Sequence, residues 1–162
     1  MKEKIQALVD QCLINASEEE QETLRSILDG FLKKKEKQNS TYIGGLMHME
    51  RELGEDFCEV TIPITPLTYN SLNMVHGGVT ATLVDSAMGT IANYMLPKGY
   101  GAVTSNLQIH YLAPGIAGNL RATGEIIHKG KKTMMVEGKV YNDDQKVIAH
   151  STASFFIIKA QS

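Results

Sequence analysis

The residues best suited to chemistry lie in the segment from Asn70 to Asp85. Two glycines, Gly77 and Gly78, open a stretch with helical spacing, and a single carboxylate, Asp85, follows the first glycine by eight residues among apolar and small side chains. The start of a helix exposes backbone N–H groups and the positive end of the helix dipole, which stabilise an oxygen that gains negative charge. An acid among apolar residues is costly unless it has a function. The combination predicts acyl-transfer chemistry.

The helix that carries these groups is predicted from about His76 to Met95, where Pro97 and Gly99 end it. Its apolar residues occupy several faces, with small residues between them. Such a helix is expected to be buried and closely approached by neighbouring backbone.

Strand-like segments lie on both sides of this helix in the sequence, from Tyr42 onwards. Residues 57–62 alternate in character before Pro63 ends them, and the later segments cover 102–112, 119–128, 132–141 and 146–158. The sequence therefore predicts an α+β fold in which an antiparallel sheet wraps around one long central helix.

Residues 1–40 differ from the rest and are predicted to form an N-terminal helical extension to a domain of residues 41–162. Ser17 and Glu20 match the capping-box pattern, and apolar residues recur at helical spacing on both sides of it. The extension ends in a lysine-rich run at residues 33–37, which is favourable near a helix C-terminus.

The composition is that of an ordinary globular chain, with 43% hydrophobic and 21% charged residues among 162. A net charge of −2 gives no electrostatic case for binding nucleic acid or a membrane surface. No segment has the pattern of a secretory signal or a membrane span. Cys12 and Cys58 form no CxxC pair, so we expect reduced thiols in a cytoplasmic protein.

The spacing of Gly77 and Asp85 constrains the assembly. With a rise of 1.5 Å per residue, the Gly77 amide and the Asp85 side chain lie roughly 12 Å apart along one helix axis, too far to touch one carbonyl group. If both act in one reaction, they must come from two chains whose helices run antiparallel across a two-fold axis. The active form is then at least a dimer with two equivalent sites.

The segment from His76 to Asp85, with Asn70 six residues before the histidine, resembles the signature of hotdog-fold acyl-CoA thioesterases, nearest to the PaaI type and its mammalian acyl-CoA thioesterase 13 relatives. The resemblance covers about residues 42–159, and the segments 102–104 and 109–114 support it. It implies hydrolysis of an acyl-CoA to the free acid and CoA, by homodimers or dimers of dimers.

The resemblance also implies roles for individual residues. Asp85 matches the acid that acts as general base on water or as nucleophile on the thioester carbonyl, and Gly77 matches the residue whose N–H polarises that carbonyl. Asn70 and His76 match residues that orient the thioester and the start of the helix. Thr104 matches a hydroxyl that helps hold the attacking water.

Substrate contacts outside these groups are less specific in the sequence. Gly78 gives access to the carbonyl or serves close packing, and Gly130, Lys131 and Lys132 lie in a turn that either grips the phosphates of coenzyme A or is only a solvated hairpin. No metal or cofactor is expected, apart from coenzyme A within the substrate, because the five histidines lack paired ligand spacing. A serine hydrolase is not expected, because no Gly-x-Ser-x-Gly motif is present. The sequence does not indicate which acyl group is bound. The residues that could line its pocket are Met88, Tyr94, Met95, Met134 and Met135.

Two other functions are weighed against hydrolysis. A hotdog dehydratase would need a histidine and an acid in a different motif. A non-catalytic transcriptional regulator would sense acyl-CoA and bind DNA through residues 1–40. This segment carries seven positive and eight negative side chains, a charge balance that argues against DNA binding. Retention of Asp85 also favours turnover over sensing.

Overall fold

The computed structural model describes residues 1–159, and the chain divides into two compact units between His48 and Met49. The N-terminal unit contains three helices, α1 (Lys2–Leu13), α2 (Glu18–Lys35) and α3 (Tyr42–Leu46). The predicted capping box is present at the start of α2, where the Glu20 N–H donates to Ser17 Oγ at 3.3 Å and the Ser17 N–H donates to the Glu20 carboxylate at 2.8 Å.

The prediction that strands begin at Tyr42 is wrong, because a short helix occupies that position. Its first turn is capped by Thr41, whose Oγ1 accepts a hydrogen bond from the Gly44 N–H at 3.1 Å. The backbone of α3 also touches that of α2 at Gly30 and Gly45, since a Cβ on Gly30 would lie 2.7 Å from the Gly45 carbonyl oxygen. Two glycines at the contact make this close approach possible.

The second unit contains one antiparallel sheet and one long helix, as predicted. Its elements are β1 (Glu50–Leu53), β2 (Phe57–Pro63), α4 (Gly77–Tyr94), β3 (Tyr100–Tyr111), β4 (Asn119–Lys129), β5 (Thr133–Asn142) and β6 (Val147–Lys159), with a 3₁₀ turn at Pro66–Thr68. The strand order is β1-β2-β4-β5-β6-β3, so β1 and β3 are the edges.

The core lies between α4 and one face of the sheet. Alternate residues of β2 are buried, as the period-two pattern predicts, and one side of α4 is buried along its length. The fully buried residues on these two elements are Cys58, Val60, Ile62, Leu83, Val84, Ala87, Met88, Ile91 and Ala92. Burial raises the pKa of the Cys58 thiol, whereas Cys12 is exposed, and neither cysteine is in a disulfide.

No helix within residues 1–159 is both long enough and apolar enough to cross a membrane.

The distance between α4 and the sheet is set by glycines on the strands beneath it. A Cβ on Gly124 of β4 would lie 2.8 Å from both the Cα and the N of Met88, so the helix backbone rests directly on this position. Any side chain at Gly124 must push α4 away from the sheet.

We therefore expect Gly124→Ala to lower the free energy of unfolding by about 1–3 kcal/mol, the usual cost of overpacking a core. Gly101→Ala is the matched control, because a Cβ there would meet nothing closer than Asn93 Oδ1 at 3.5 Å. Urea denaturation of both variants measures the difference. Equal stabilities would show that the helix does not depend on this contact.

Candidate active site

Within residues 1–159, one backbone amide at the start of α4 differs from its neighbours in having no hydrogen-bond partner. His76 is the N-cap residue, and its Nδ1 accepts a hydrogen bond from the Gly78 N–H at 2.9 Å. The His76 carbonyl accepts from the Val79 N–H at 2.9 Å and from the Thr80 N–H at 3.2 Å. Among residues 1–159, the Gly77 N–H donates to no acceptor. The first turn thus offers a single free backbone N–H to a ligand among the described residues, at the positive end of the helix dipole.

Asn70 shapes the loop that leads into this turn. Its Oδ1 accepts hydrogen bonds from the Leu72 N–H at 2.8 Å and the Met74 N–H at 3.3 Å. Its own N–H donates to the Met74 carbonyl at 2.8 Å, and Asn73 adopts the left-handed conformation at the tip, with φ of 54°. Asparagine favours such turns because its side chain imitates a backbone acceptor.

A cleft of about 360 Å³ opens at the start of α4, and Asn70 and Gly77 both line it. Most of the remaining wall is apolar and comes from the end of β3, the loop after it and the start of β6. The other lining residues are Met74, Val75, Thr80, Tyr111, Leu112, Ala113, Pro114, Gly115 and Ile148. A mainly apolar cleft with a few polar groups suits an acyl group joined to a polar linkage.

Asp85 lies on the same helix, partly buried, and is held by Thr104. The Thr104 hydroxyl donates to Asp85 Oδ1 at 2.9 Å. One carboxylate oxygen is therefore fixed by the strand while the other has no partner among the described residues. This is the arrangement needed for a carboxylate that must point one oxygen at a water molecule or a carbonyl carbon.

Strand β3 contacts α4 near both Asp85 and Gly77, and a bulge in the strand turns both of its contacting side chains towards the helix. Thr104 contacts Asp85, whereas the Tyr111 hydroxyl donates to the Gly77 carbonyl at 2.8 Å. Residues an odd number apart face opposite sides of a regular strand, but the register against β6 shifts between Thr104 and Asn106. The extra residue, Ser105, lets both side chains face the helix.

Asp85 and Thr104 do not line the cleft that Gly77 lines. One helix carries both groups, so the distance along the axis stays at roughly 12 Å, as the sequence implied. Within the described part of one chain, the donor and the acid therefore face separate surroundings.

The predicted phosphate-binding turn lies at the opposite end of α4 from Gly77. The Gly130 N–H donates to the Thr133 carbonyl at 2.9 Å, and Lys131 and Lys132 are exposed. The neighbouring Lys129, which belongs to the same lysine-rich stretch of the sequence, donates from Nζ to the carbonyl of Met95 at 2.5 Å and caps the C-terminal end of the helix. Gly78 is exposed beside the His76 ring.

Two of the residues predicted to line an acyl pocket are in the core instead. Met88 and Met134 are at most 1% exposed, whereas Tyr94 and Met135 are exposed. Within residues 1–159, no three His, Cys, Asp or Glu side chains are grouped so that they could hold a metal ion.

The Thr104–Asp85 contact gives a direct test of how the acid is oriented. We expect Thr104→Val to lower the kcat for an acyl-CoA thioester by about tenfold, because the isosteric side chain cannot donate to the carboxylate. Thr104→Ser keeps the hydroxyl and should retain most of the activity. A Val variant as active as the Ser variant would show that the hydrogen bond has no part in turnover.

Comparison with known proteins identifies the family. The thioesterase superfamily model matches residues 72–149, which include the start of α4, Asp85 and Thr104. The acyl-coenzyme A thioesterase PaaI of Escherichia coli is 35% identical over 98 residues, covering 60% of this chain and 68% of that protein. A medium/long-chain acyl-CoA thioesterase, YigI of Salmonella typhimurium, is 29% identical over 52% of this chain and 63% of its own.

The crystal structure of the BH2602 protein from Bacillus halodurans, determined with CoA, superposes with a TM-score of 0.88. It is 47% identical and covers 94% of this chain and 99% of its own. Both the sequence and the fold therefore agree with the family model, and the chain belongs to the thioesterase superfamily, among the PaaI-like enzymes with the hotdog fold.

Proposed function

We propose that this protein hydrolyses an acyl-CoA thioester to the free acid and CoA. The observation that carries the proposal is the single unpaired N–H of Gly77, which lies in an apolar cleft at the start of α4. The names of its relatives support the substrate class, and so does the CoA in the BH2602 structure.

The chemistry follows from the two groups. Asp85 takes a proton from water as the water oxygen adds to the thioester carbonyl, or its own oxygen adds to that carbon and water later releases the acid. The carbonyl oxygen gains negative charge, which the Gly77 N–H and the helix dipole stabilise. The C–S bond then breaks and CoA leaves as a thiolate. Because this thiolate is stable, the scheme needs no strong acid, metal or further cofactor.

In this proposal each site combines Gly77 of one chain with Asp85 of another. The half-buried side of α4 that carries Thr82 and Ser86 supports packing against a second helix, because these hydroxyls already donate within the helix. Thr82 donates to the Gly78 carbonyl at 2.9 Å, and Ser86 donates to the Thr82 carbonyl at 2.7 Å. Such a small-residue surface can be covered without leaving polar groups unpaired. A homodimer, or a dimer of such dimers, then carries two equivalent sites per pair of chains.

The turn of Gly130, Lys131 and Lys132 is assigned to the phosphates of CoA. Lys129, next to this turn, donates a hydrogen bond to the Met95 carbonyl. Met95 is ten residues beyond Asp85 and thus roughly 15 Å further along the axis of α4. An extended pantetheine arm spans a distance of this order, so a thioester at Asp85 would place its phosphates near the exposed lysines. Gly78 is assigned to the approach of the substrate, and its lack of a side chain also leaves room for the His76 ring, since a Cβ there would lie 3.0 Å from His76 Nδ1.

Gly77→Pro tests the proposed donor. Gly77 is the first residue of α4, where proline is well tolerated, and His76 has φ of −61° and ψ of 133°, the conformation favoured before proline. The substitution therefore removes the N–H while keeping the helix. We expect turnover to fall by about 100-fold or more, as for other lost oxyanion donors.

Gly77→Ala is the matched control, because it keeps the N–H and adds a Cβ 3.3 Å from the Tyr111 ring. Both variants are assayed by thiol release from phenylacetyl-CoA and octanoyl-CoA, with circular dichroism to confirm folding. If the Pro and Ala variants were equally active, Gly77 would not be the donor. A parent protein that hydrolyses no acyl-CoA at all would refute the proposed function itself.

A further inference from the structure

Two successive glycines give the first turn of α4 more backbone freedom than residues with side chains would. Substrate access needs this lack of side chains, but an oxyanion donor has to be held still before the reaction to be effective. The helix restrains the Gly77–Gly78 segment, and contacts from neighbouring side chains restrain it further.

Two side chains fix the peptide unit between Gly77 and Gly78 from opposite ends. The N–H of this unit donates to His76 Nδ1 at 2.9 Å, and its carbonyl accepts from the Tyr111 hydroxyl at 2.8 Å. The Gly77 N–H belongs to the preceding peptide unit and shares the Gly77 Cα. Holding one unit therefore limits rotation about Gly77 and fixes the direction of the donor.

The Tyr111 ring also lies against Gly77. A Cβ on Gly77 would be 3.3 Å from both Cζ and the hydroxyl oxygen of Tyr111, so the ring closes the helix face on that side. Tyr111 lines the same cleft as Gly77. The ring blocks one side of Gly77, so a ligand reaches the Gly77 N–H from the cleft.

We propose that Tyr111 is a positioning residue, whose hydroxyl holds the Gly77–Gly78 peptide so that the Gly77 N–H points at the substrate carbonyl. This inference rests on the proposed function. It also gives the bulge in β3 a purpose, because without Ser105 the strand could not direct Thr104 and Tyr111 to the same helix.

The contribution of Tyr111 should appear in catalysis and not in stability. The side chain is 53% exposed in the single chain, so water replaces its hydrogen bond at little cost. Loss of the hydroxyl leaves the Gly77 N–H present but less well aimed. The expected effect on kcat is about tenfold, smaller than the loss of the whole donor.

Tyr111→Phe removes the hydroxyl and keeps the ring. We expect kcat for phenylacetyl-CoA to fall about tenfold while KM and the melting temperature stay close to those of the parent. Tyr100→Phe is the matched control, since it lies on the same strand, is similarly exposed at 45% and has no role in the site. An unchanged kcat for Tyr111→Phe, or a loss that accompanies a lower melting temperature, would overturn the inference.

An infrared measurement separates this inference from the proposed function. Phenylacetyl-CoA with ¹³C at the thioester carbonyl is bound to Asp85→Asn, which we expect to slow turnover, and to the double variant with Tyr111→Phe. We expect the carbonyl stretch to shift to lower frequency on binding to Asp85→Asn and to shift less in the double variant. Equal shifts in both variants would refute the role of Tyr111 but would leave the proposed donor intact. No shift in Asp85→Asn would refute the proposed donor, and the role of Tyr111 with it.

Discussion

The rigidity of helix α4 is the constraint on which the rest of the site depends. Its backbone fixes the Gly77 N–H and the Asp85 carboxylate eight residues apart, and no side-chain rotation brings them to one carbonyl group. The helix is locked in turn by the core beneath it, where Gly124 allows the Met88 backbone to rest on the sheet. A donor and an acid that cannot meet within one chain require a second chain if they act together.

The sheet contributes the orientation of both groups through a single strand. The bulge in β3 directs Thr104 to the acid and Tyr111 to the peptide beside the donor, so a change in register between β3 and β6 would disturb both. The His76 side chain completes the arrangement by pairing with the amide next to the donor. Together these contacts leave the Gly77 N–H and one Asp85 oxygen unpaired among the described residues, as the proposed hydrolysis requires.

Much of this could be predicted from the sequence, because its signals are local and periodic. The helix predicted from His76 to Met95 spans Gly77–Tyr94, and strands β2 to β6 agree with their predicted bounds to within a few residues, whereas β1 had no predicted bounds. The helix at Tyr42–Leu46 was missed since five residues are too few to show a period, and its position depends on a contact between Gly30 and Gly45. The bulge at Ser105 leaves no local signature, so the role of Tyr111 appears only in the structure.

The central claim, that each site is shared between two chains, is tested most directly by hybrid dimers. Asp85→Asn and Gly77→Pro chains are co-expressed with different tags, and the dimers that carry both tags are purified. Each such hybrid should contain one intact site, with Gly77 from the first chain and Asp85 from the second, and should show about half of the wild-type activity while both parents are nearly inactive. Hybrids as inactive as their parents would contradict the account.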